Sequence, residues 1–238
     1  MPEITIPTNA PGPGGVSSIP ALLKWSPTGE GAGIVLVQEI FGRSGYMRSR
    51  ARDLAALGYT VALPQVYWRA GADAVDETSD DALEQGMALM QKADWNQAVD
   101  DVRLVVESLR REPKTGGRVA LVGFCYGGGL AYAALQGAQG SQRADALVSY
   151  YGSALPNLVD GDAVTVPSLH HFGDADAYLS SEVVDHIAQV VQHNGAEVKL
   201  WHGAGHAFDN TAPMFHHEQA SEEAWQVTVE WLRTHFPA

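Results

Sequence analysis

An α/β fold with a mostly parallel central sheet and helices on both faces is what three features of this 238-residue chain predict. Short continuous apolar runs recur, as in Gly33-Ile-Val-Leu-Val37, with the uniform hydrophobicity of strands buried on both sides. Segments of helical periodicity lie between them, so strand and helix alternate along the chain. At one junction a strand-like run ends in Gly123-Phe-Cys-Tyr-Gly127, a turn pinched between two glycines.

The elements follow in order. Glu3 to Ile6 and Ile19 to Trp25 read as an antiparallel hairpin around Pro11-Gly-Pro-Gly-Gly15, inside a leading segment of residues 1–30. Gly33 to Val37 is a buried strand, Arg48 to Leu57 a helix closed by Gly58, and Thr60 to Leu63 a strand stopped by Pro64. Val66 to about Thr78 is loop-like. Asp80 to Lys92 and Asn96 to Arg110 read as amphipathic helices, the second with Val99, Val102, Val105, Val106 and Leu109 on one face. Arg118 to Gly123 is the strand into the glycine turn, and Gly128 to Leu135 the helix out of it. Strands Ala144 to Tyr150, Ser168 to Phe172 and Glu197 to Trp201 follow, with helices Ser181 to His193 and Ser221 to Thr234. No repeat or low-complexity linker interrupts them, so one domain over 1–238 is expected. Ligands of such sheets bind beyond the carboxyl ends of the strands.

Hydrophobic residues make 45% of the chain and charged residues 18%, the balance of an ordinary globular protein. The formal net charge of −13 argues against a nucleic-acid groove or an anionic-membrane surface. Met1-Pro-Glu-Ile-Thr-Ile-Pro7 lacks the regions of a secretory signal, and no apolar run nears the roughly 20 residues that span a bilayer. A single cysteine makes no internal disulfide. A cytoplasmic monomer without nucleic-acid or membrane partners is the expectation.

That cysteine, Cys125, occupies the centre of the pinched turn. A turn this sharp strains its central residue and needs small neighbours two positions either side, which Gly123 and Gly127 supply. The helix that follows points its N-terminus at the side chain and favours an anion there. A cysteine among hydrophobes is ordinarily a small core residue, but core packing does not require both glycines. The glycines fit neither the dinucleotide fingerprint nor the P-loop. The nucleophile reading leads.

A nucleophile needs a base and a group that orients it, on loops at other strand ends. Strand Ser168 to Phe172 runs into Gly173-Asp-Ala-Asp176, and strand Glu197 to Trp201 into His202-Gly-Ala-Gly-His206. Asp176 is preferred over Asp174, which sits tight against the strand and can simply cap the turn. His206 is preferred over His202, because the intervening glycine loop can carry it back over the sheet. His202, His206, His216, His217 and Glu218 do not read as a metal site, since glycines break the helix that such spacing requires. No metal or cofactor is expected. Glu39 follows another buried strand, where a carboxylate needs a partner, and is placed beside the thiol. The Ile40 and Tyr126 backbone N–H groups can then form an oxyanion hole.

Gln38-Glu-Ile-Phe-Gly42, Gly123-Phe-Cys-Tyr-Gly-Gly128, His171-Phe-Gly-Asp-Ala-Asp176 and Ala204-Gly-His-Ala-Phe208 together resemble the dienelactone hydrolase family, a cysteine branch of the α/β-hydrolases. The similarity runs from about Gly33 to the C-terminus. It implies a Cys125–His206–Asp176 triad, an oxyanion hole from Ile40 and Tyr126, and a Glu39 that contacts the resting thiol and takes its proton when substrate displaces it. Phe41 belongs to the same motif and is assigned to the substrate. Tyr151 resembles a family pocket residue, with Tyr150 a near rival.

The departures concern the substrate. The family holds a carboxylate with two arginines. One lies four residues after the catalytic histidine, where this chain has Asn210; the other falls in Asp76 to Gln85, which has no basic residue. Asn210 and Arg69 are therefore carried as substrate-side candidates, with Arg43 a further cation nearby. The function expected is cysteine-dependent hydrolysis of a small-molecule ester or lactone in an altered pocket. A non-catalytic module of the same fold that binds a ligand or partner is the alternative. A glutaminase-type cysteine hydrolase fits less well, because its His-x-Glu pair is not seen at His206-Ala-Phe208.

Overall fold

The computed structural model describes residues 1–238. Eight strands form one sheet: β1 (Glu3–Pro7), β2 (Ser18–Lys24), β3 (Gly33–Val37), β4 (Thr60–Pro64), β5 (Val119–Phe124), β6 (Ala146–Tyr150), β7 (Ser168–Gly173) and β8 (Glu197–Trp201). Their order is β1-β2-β4-β3-β5-β6-β7-β8. The leading hairpin pairs antiparallel and joins β4 antiparallel, while β4, β3, β5, β6, β7 and β8 run parallel. Residues of β3, β4, β5, β6 and β7 are buried throughout, which accounts for their uninterrupted apolar sequence.

The helices are α1 (Gly45–Ala56), α2 (Ala82–Lys92), α3 (Trp95–Arg111), α4 (Tyr126–Leu135), α5 (Ser181–His193) and α6 (Glu218–His235). Successive residues of a strand face opposite sides of a sheet, and the end of β5 shows which helix covers which side. Gly123 abuts Gly127 and Gly128 of α4, while Phe124 meets Tyr46 of α1 edge-on at 5.7 Å. Arg103 of α3 closes the end of α4 by donating to the carbonyls of Ala133, Ala134 and Gln136. Arg50 of α1 lies over the Trp225 ring of α6, 4.4 Å from its centroid.

Several helices start earlier than periodicity predicts, because side chains outside the apolar pattern cap them. Ser44 accepts from the Met47 N–H ahead of α1, Asp94 from Gln97 ahead of α3, and His217 from Ala220 ahead of α6. The start of α4 at Tyr126 rather than Gly128 has another cause. Its three glycines are poor helix formers, but they sit where the helix presses on the sheet and no side chain fits. A Cβ on Gly128 would lie 2.7 Å from Ser149 Oγ, and one on Gly129 2.6 Å from the Ala154 Cβ.

The strand order places a switch point between β3 and β5. From β3 the chain goes to β4 on one side, then returns to β5 on the other. Val37 and Gly123 are register partners at the carboxyl ends of these two strands. The residues that follow them, Gln38 to Ile40 and Phe124 to Tyr126, therefore lie side by side over a natural crevice. No helix is long and apolar enough to cross a membrane.

Candidate active site

Cys125 sits between β5 and α4 with φ 52° and ψ −115°, a conformation that L side chains rarely adopt. Close packing holds it there. A Cβ on Gly123 would fall 2.2 Å from the Gly127 carbonyl oxygen, and one on Gly127 would fall 2.3 Å from that of Val37. The Cys125 N–H donates to the Tyr150 carbonyl at 3.0 Å, and its own carbonyl accepts from Gly128, Gly129 and Ser153. Only two other non-glycine residues have positive φ: Tyr151 at 37° and Ala207, directly after His206, at 58°. All three lie at or beside the predicted site, and strain of this kind gathers where side chains must be aimed.

His206 bridges the thiol and an acid. Its Nε2 lies 3.1 Å from Cys125 Sγ and its Nδ1 2.7 Å from Asp176 Oδ2. The other oxygen of Asp176 accepts from the backbone N–H groups of Tyr178 and Leu179 at 2.7 and 3.1 Å, which fixes the carboxylate. Burial alone would lower the His206 pKa, but the Cys125 sulfur and the Asp176 carboxylate outweigh it and raise it to about 10. The protonated imidazole is the form of His206 this geometry favours. The two acids left open by the sequence part company here. Asp174 pairs with His202 at 2.7 Å, and the His202 side chain is 99% exposed. Asp176 and His206 form the buried pair.

Glu39 is fully buried, but the expected contact with the thiol is absent. Its Oε1 accepts from the Tyr151 hydroxyl at 3.1 Å and its Oε2 from Asn210 Nδ2 at 2.7 Å. Cys125 Sγ instead bonds His206. Burial raises the Glu39 pKa against the opposing pull of these two donors and of His206, and the balance sets it at about 7.

The structure turns two of the substrate-side candidates toward Glu39. Tyr151 and Asn210 are wholly buried, bond Glu39 and are not among the residues lining the cavity. Arg69 pairs with Asp101, donates to the Ala10 carbonyl and stacks on Trp68, away from the cavity lining. Arg43 is likewise held by Asp73 and Glu3.

A cavity of about 500 Å³ opens over Cys125, lined by 17 residues of which 13 are hydrophobic. Phe41 is among them, as are Glu39, Ile40, Tyr126 and His206. Tyr126 is the first residue of α4 and its N–H has no acceptor within the helix; the Ile40 N–H makes no backbone hydrogen bond. The packing of Gly127 on Val37 and Gln38 brings these two donors to the same end of the cavity.

Sequence reasoning missed Met87, Met90, Trp95, Tyr178 and Phe215 of the cavity lining. Leu83, Met87 and Met90 recur at helical spacing on α2, and that periodicity was the available signal. It also missed Asp209, a buried carboxylate that accepts from Arg50, Tyr46 and Ser221 and ties the loop after His206 to α1 and α6. No signal in a single sequence marks that residue. No group of three or more His, Cys, Asp or Glu is placed to hold a metal ion.

The chain is 31% identical to carboxymethylenebutenolidase 1 of Cupriavidus pinatubonensis over 87% of this chain and 88% of the relative. It is 34% identical to the carboxymethylenebutenolidase of Pseudomonas putida over 75% of each. Among solved structures, a dienelactone hydrolase-like promiscuous phosphotriesterase from metagenomic libraries superposes with a TM-score of 0.73 at 19% identity, over 98% of both chains. A thermophilic esterase from Thermogutta terrifontis gives 0.66 at 14% identity, over 91% of this chain and 89% of that one. At such identities these two likenesses speak for the fold. The sequence profile of the dienelactone hydrolase family matches residues 19–236, and the chain belongs to that family.

Proposed function

We propose that this hydrolase opens an ester or lactone carbonyl through Cys125. The observation that carries the reading is the line from Asp176 through His206 to Cys125, with steps of 2.7 and 3.1 Å, ending on a strained turn at the floor of a cavity.

The reaction follows from the roles each atom can take. The Cys125 sulfur, as thiolate beside the His206 imidazolium, adds to the carbonyl carbon and the C=O π pair moves to oxygen. The Ile40 and Tyr126 N–H groups hold that oxyanion. As the intermediate collapses, the C–O bond to the alcohol breaks and His206 Nε2 gives its proton to the leaving oxygen, leaving a thioester. The neutral imidazole then takes a proton from water, which attacks the thioester. The second collapse expels the sulfur and restores the ion pair. Asp176 keeps Nδ1 protonated and the ring aimed throughout.

Glu39 enters this scheme differently from the family expectation. Bound to Tyr151 and Asn210, it forms part of the cavity wall, and the thiol loses its proton to His206 instead.

Hydrolysis of an activated aryl ester by purified protein tests the reading, with Cys125→Ala and iodoacetamide treatment alongside. Both treatments are expected to abolish turnover. Undiminished turnover by Cys125→Ala sinks the mechanism, and failure across an ester panel despite rapid thiol alkylation would favour a ligand-binding module.

A further inference from the structure

We infer that the site takes an uncharged ester or lactone whose acyl part is apolar. This rests on the hydrolase reading above and adds the substrate class to it.

None of the 17 residues lining the cavity is Lys or Arg, and its one carboxylate residue is Glu39. Four arginines of the surrounding segments are occupied by acids. Arg43 pairs with Asp73 and Glu3, Arg48 with Asp73, Arg50 with Asp209 and Arg69 with Asp101. Holding a substrate carboxylate in a dry pocket takes a guanidinium or equivalent cation, and none lines this cavity; Lys92 and Arg52, exposed and without an acid partner, are not among its lining residues. An anionic acyl group entering here would lose its water among methionines and aromatics and gain no partner.

The walls also assign the two ends of the substrate. His206 must face the leaving alcohol, because it supplies the proton. Tyr178 meets His206 edge-on at 5.0 Å and is 65% exposed, so the alcohol departs through the open mouth. On the opposite side, Trp95 lies edge-on to Tyr126 at 5.5 Å, next to Met87 and Met90 of α2. These apolar, adaptable side chains receive the acyl group. Acyl selectivity is therefore strict and alcohol selectivity loose. In a lactone, the ring carbons next to the carbonyl take the acyl side.

A matched pair of substrates tests this at pH 8: p-nitrophenyl butyrate and mono-p-nitrophenyl succinate, in which a carboxylate replaces the terminal methyl. The full-length protein is expected to show kcat/KM at least ~50-fold higher for the butyrate. Met87→Arg, at the partly exposed rim, is expected to shrink that ratio by about tenfold by supplying the missing cation. Equal or faster hydrolysis of the succinate ester overturns the substrate class alone, as does a ratio that Met87→Arg leaves untouched. Turnover of neither ester overturns the hydrolase reading and this inference with it. The Cys125→Ala control reports separately on the mechanism.

Discussion

Asn210 donates from Nδ2 to Glu39 Oε2 across 2.7 Å, joining the loop after His206 to the loop after β3. The position that would carry an arginine for a substrate carboxylate thus holds an amide that serves a carboxylate of the protein. With Tyr151 on the other oxygen, Glu39 is occupied on both sides and Cys125 Sγ is left to His206.

The first prediction concerns what activates the thiol. Iodoacetamide alkylation of Cys125 at pH 7 should slow at least ~10-fold in His206→Gln, which loses the imidazolium. Glu39→Gln should alkylate within about twofold of the parent, because Glu39 does not touch the sulfur. A large slowing in Glu39→Gln with little change in His206→Gln would restore Glu39 as the resting partner of the thiol.

Glu39 should instead reveal itself in stability. Its folded-state pKa is raised from 4.5 to about 7 by burial, so the folded protein holds a proton that the unfolded chain has released. That contribution is complete below about pH 4.5 and is lost as pH rises through 7, with an upper bound of about 3 kcal/mol from linkage. Urea unfolding of Glu39→Gln against the parent should show a stability difference in the variant's favour that grows from pH 5 to 7 and levels off above. A difference independent of pH would show that Glu39 is not held in this way.

Two adjacent histidines of β7 make the opposite prediction on the acid side. His170 is buried with neither ring nitrogen paired, and burial lowers its pKa to about 4. His171 is lowered to about 3, chiefly by burial and then by His170 and Lys199. A histidine kept neutral in the fold leaves the unfolded chain with more bound protons, so stability falls as pH drops below about 6.5 and continues to fall toward these values. His170→Leu removes one such group without orphaning a partner. It should stabilise the protein at pH 5 by about 2 kcal/mol relative to its effect at pH 8. Equal effects of the substitution at both values on thermal or urea unfolding would refute the assignment.

What the sequence could and could not reveal follows from the range of the forces involved. Cys125, Asp176 and His206 drew notice in the sequence because each lies on the short loop or turn beyond a recognisable apolar strand. The parallel core strands were legible because burial on both faces leaves uniform apolar runs. The roles of Tyr151 and Asn210 were not, because both are fixed by partners more than 100 residues away that no local pattern announces. The pairing of Arg69 was hidden for a similar reason. Its acid, Asp101, sits on the inner face of a helix whose periodicity gave no hint of a buried carboxylate.

The last prediction separates the two Asp–His pairs. Asp176 bonds a ring whose other nitrogen reaches the thiol, and it is the only acid in contact with that ring. Asp176→Asn should keep the fold, since an amide oxygen can still accept from the Tyr178 and Leu179 N–H groups. It should lower kcat for an activated ester by ~10³–10⁴, because an amide favours the wrong imidazole tautomer and cannot stabilise the imidazolium. Asp174→Asn breaks only an exposed pair with His202 and should leave kcat within about twofold. The pH profile adds a second readout. With its acid gone the imidazolium is less favoured, so the alkaline limb of thiol alkylation by iodoacetamide should change shape in Asp176→Asn and not in Asp174→Asn. Comparable losses of kcat in the two variants would mean that the choice between these carboxylates has been made wrongly.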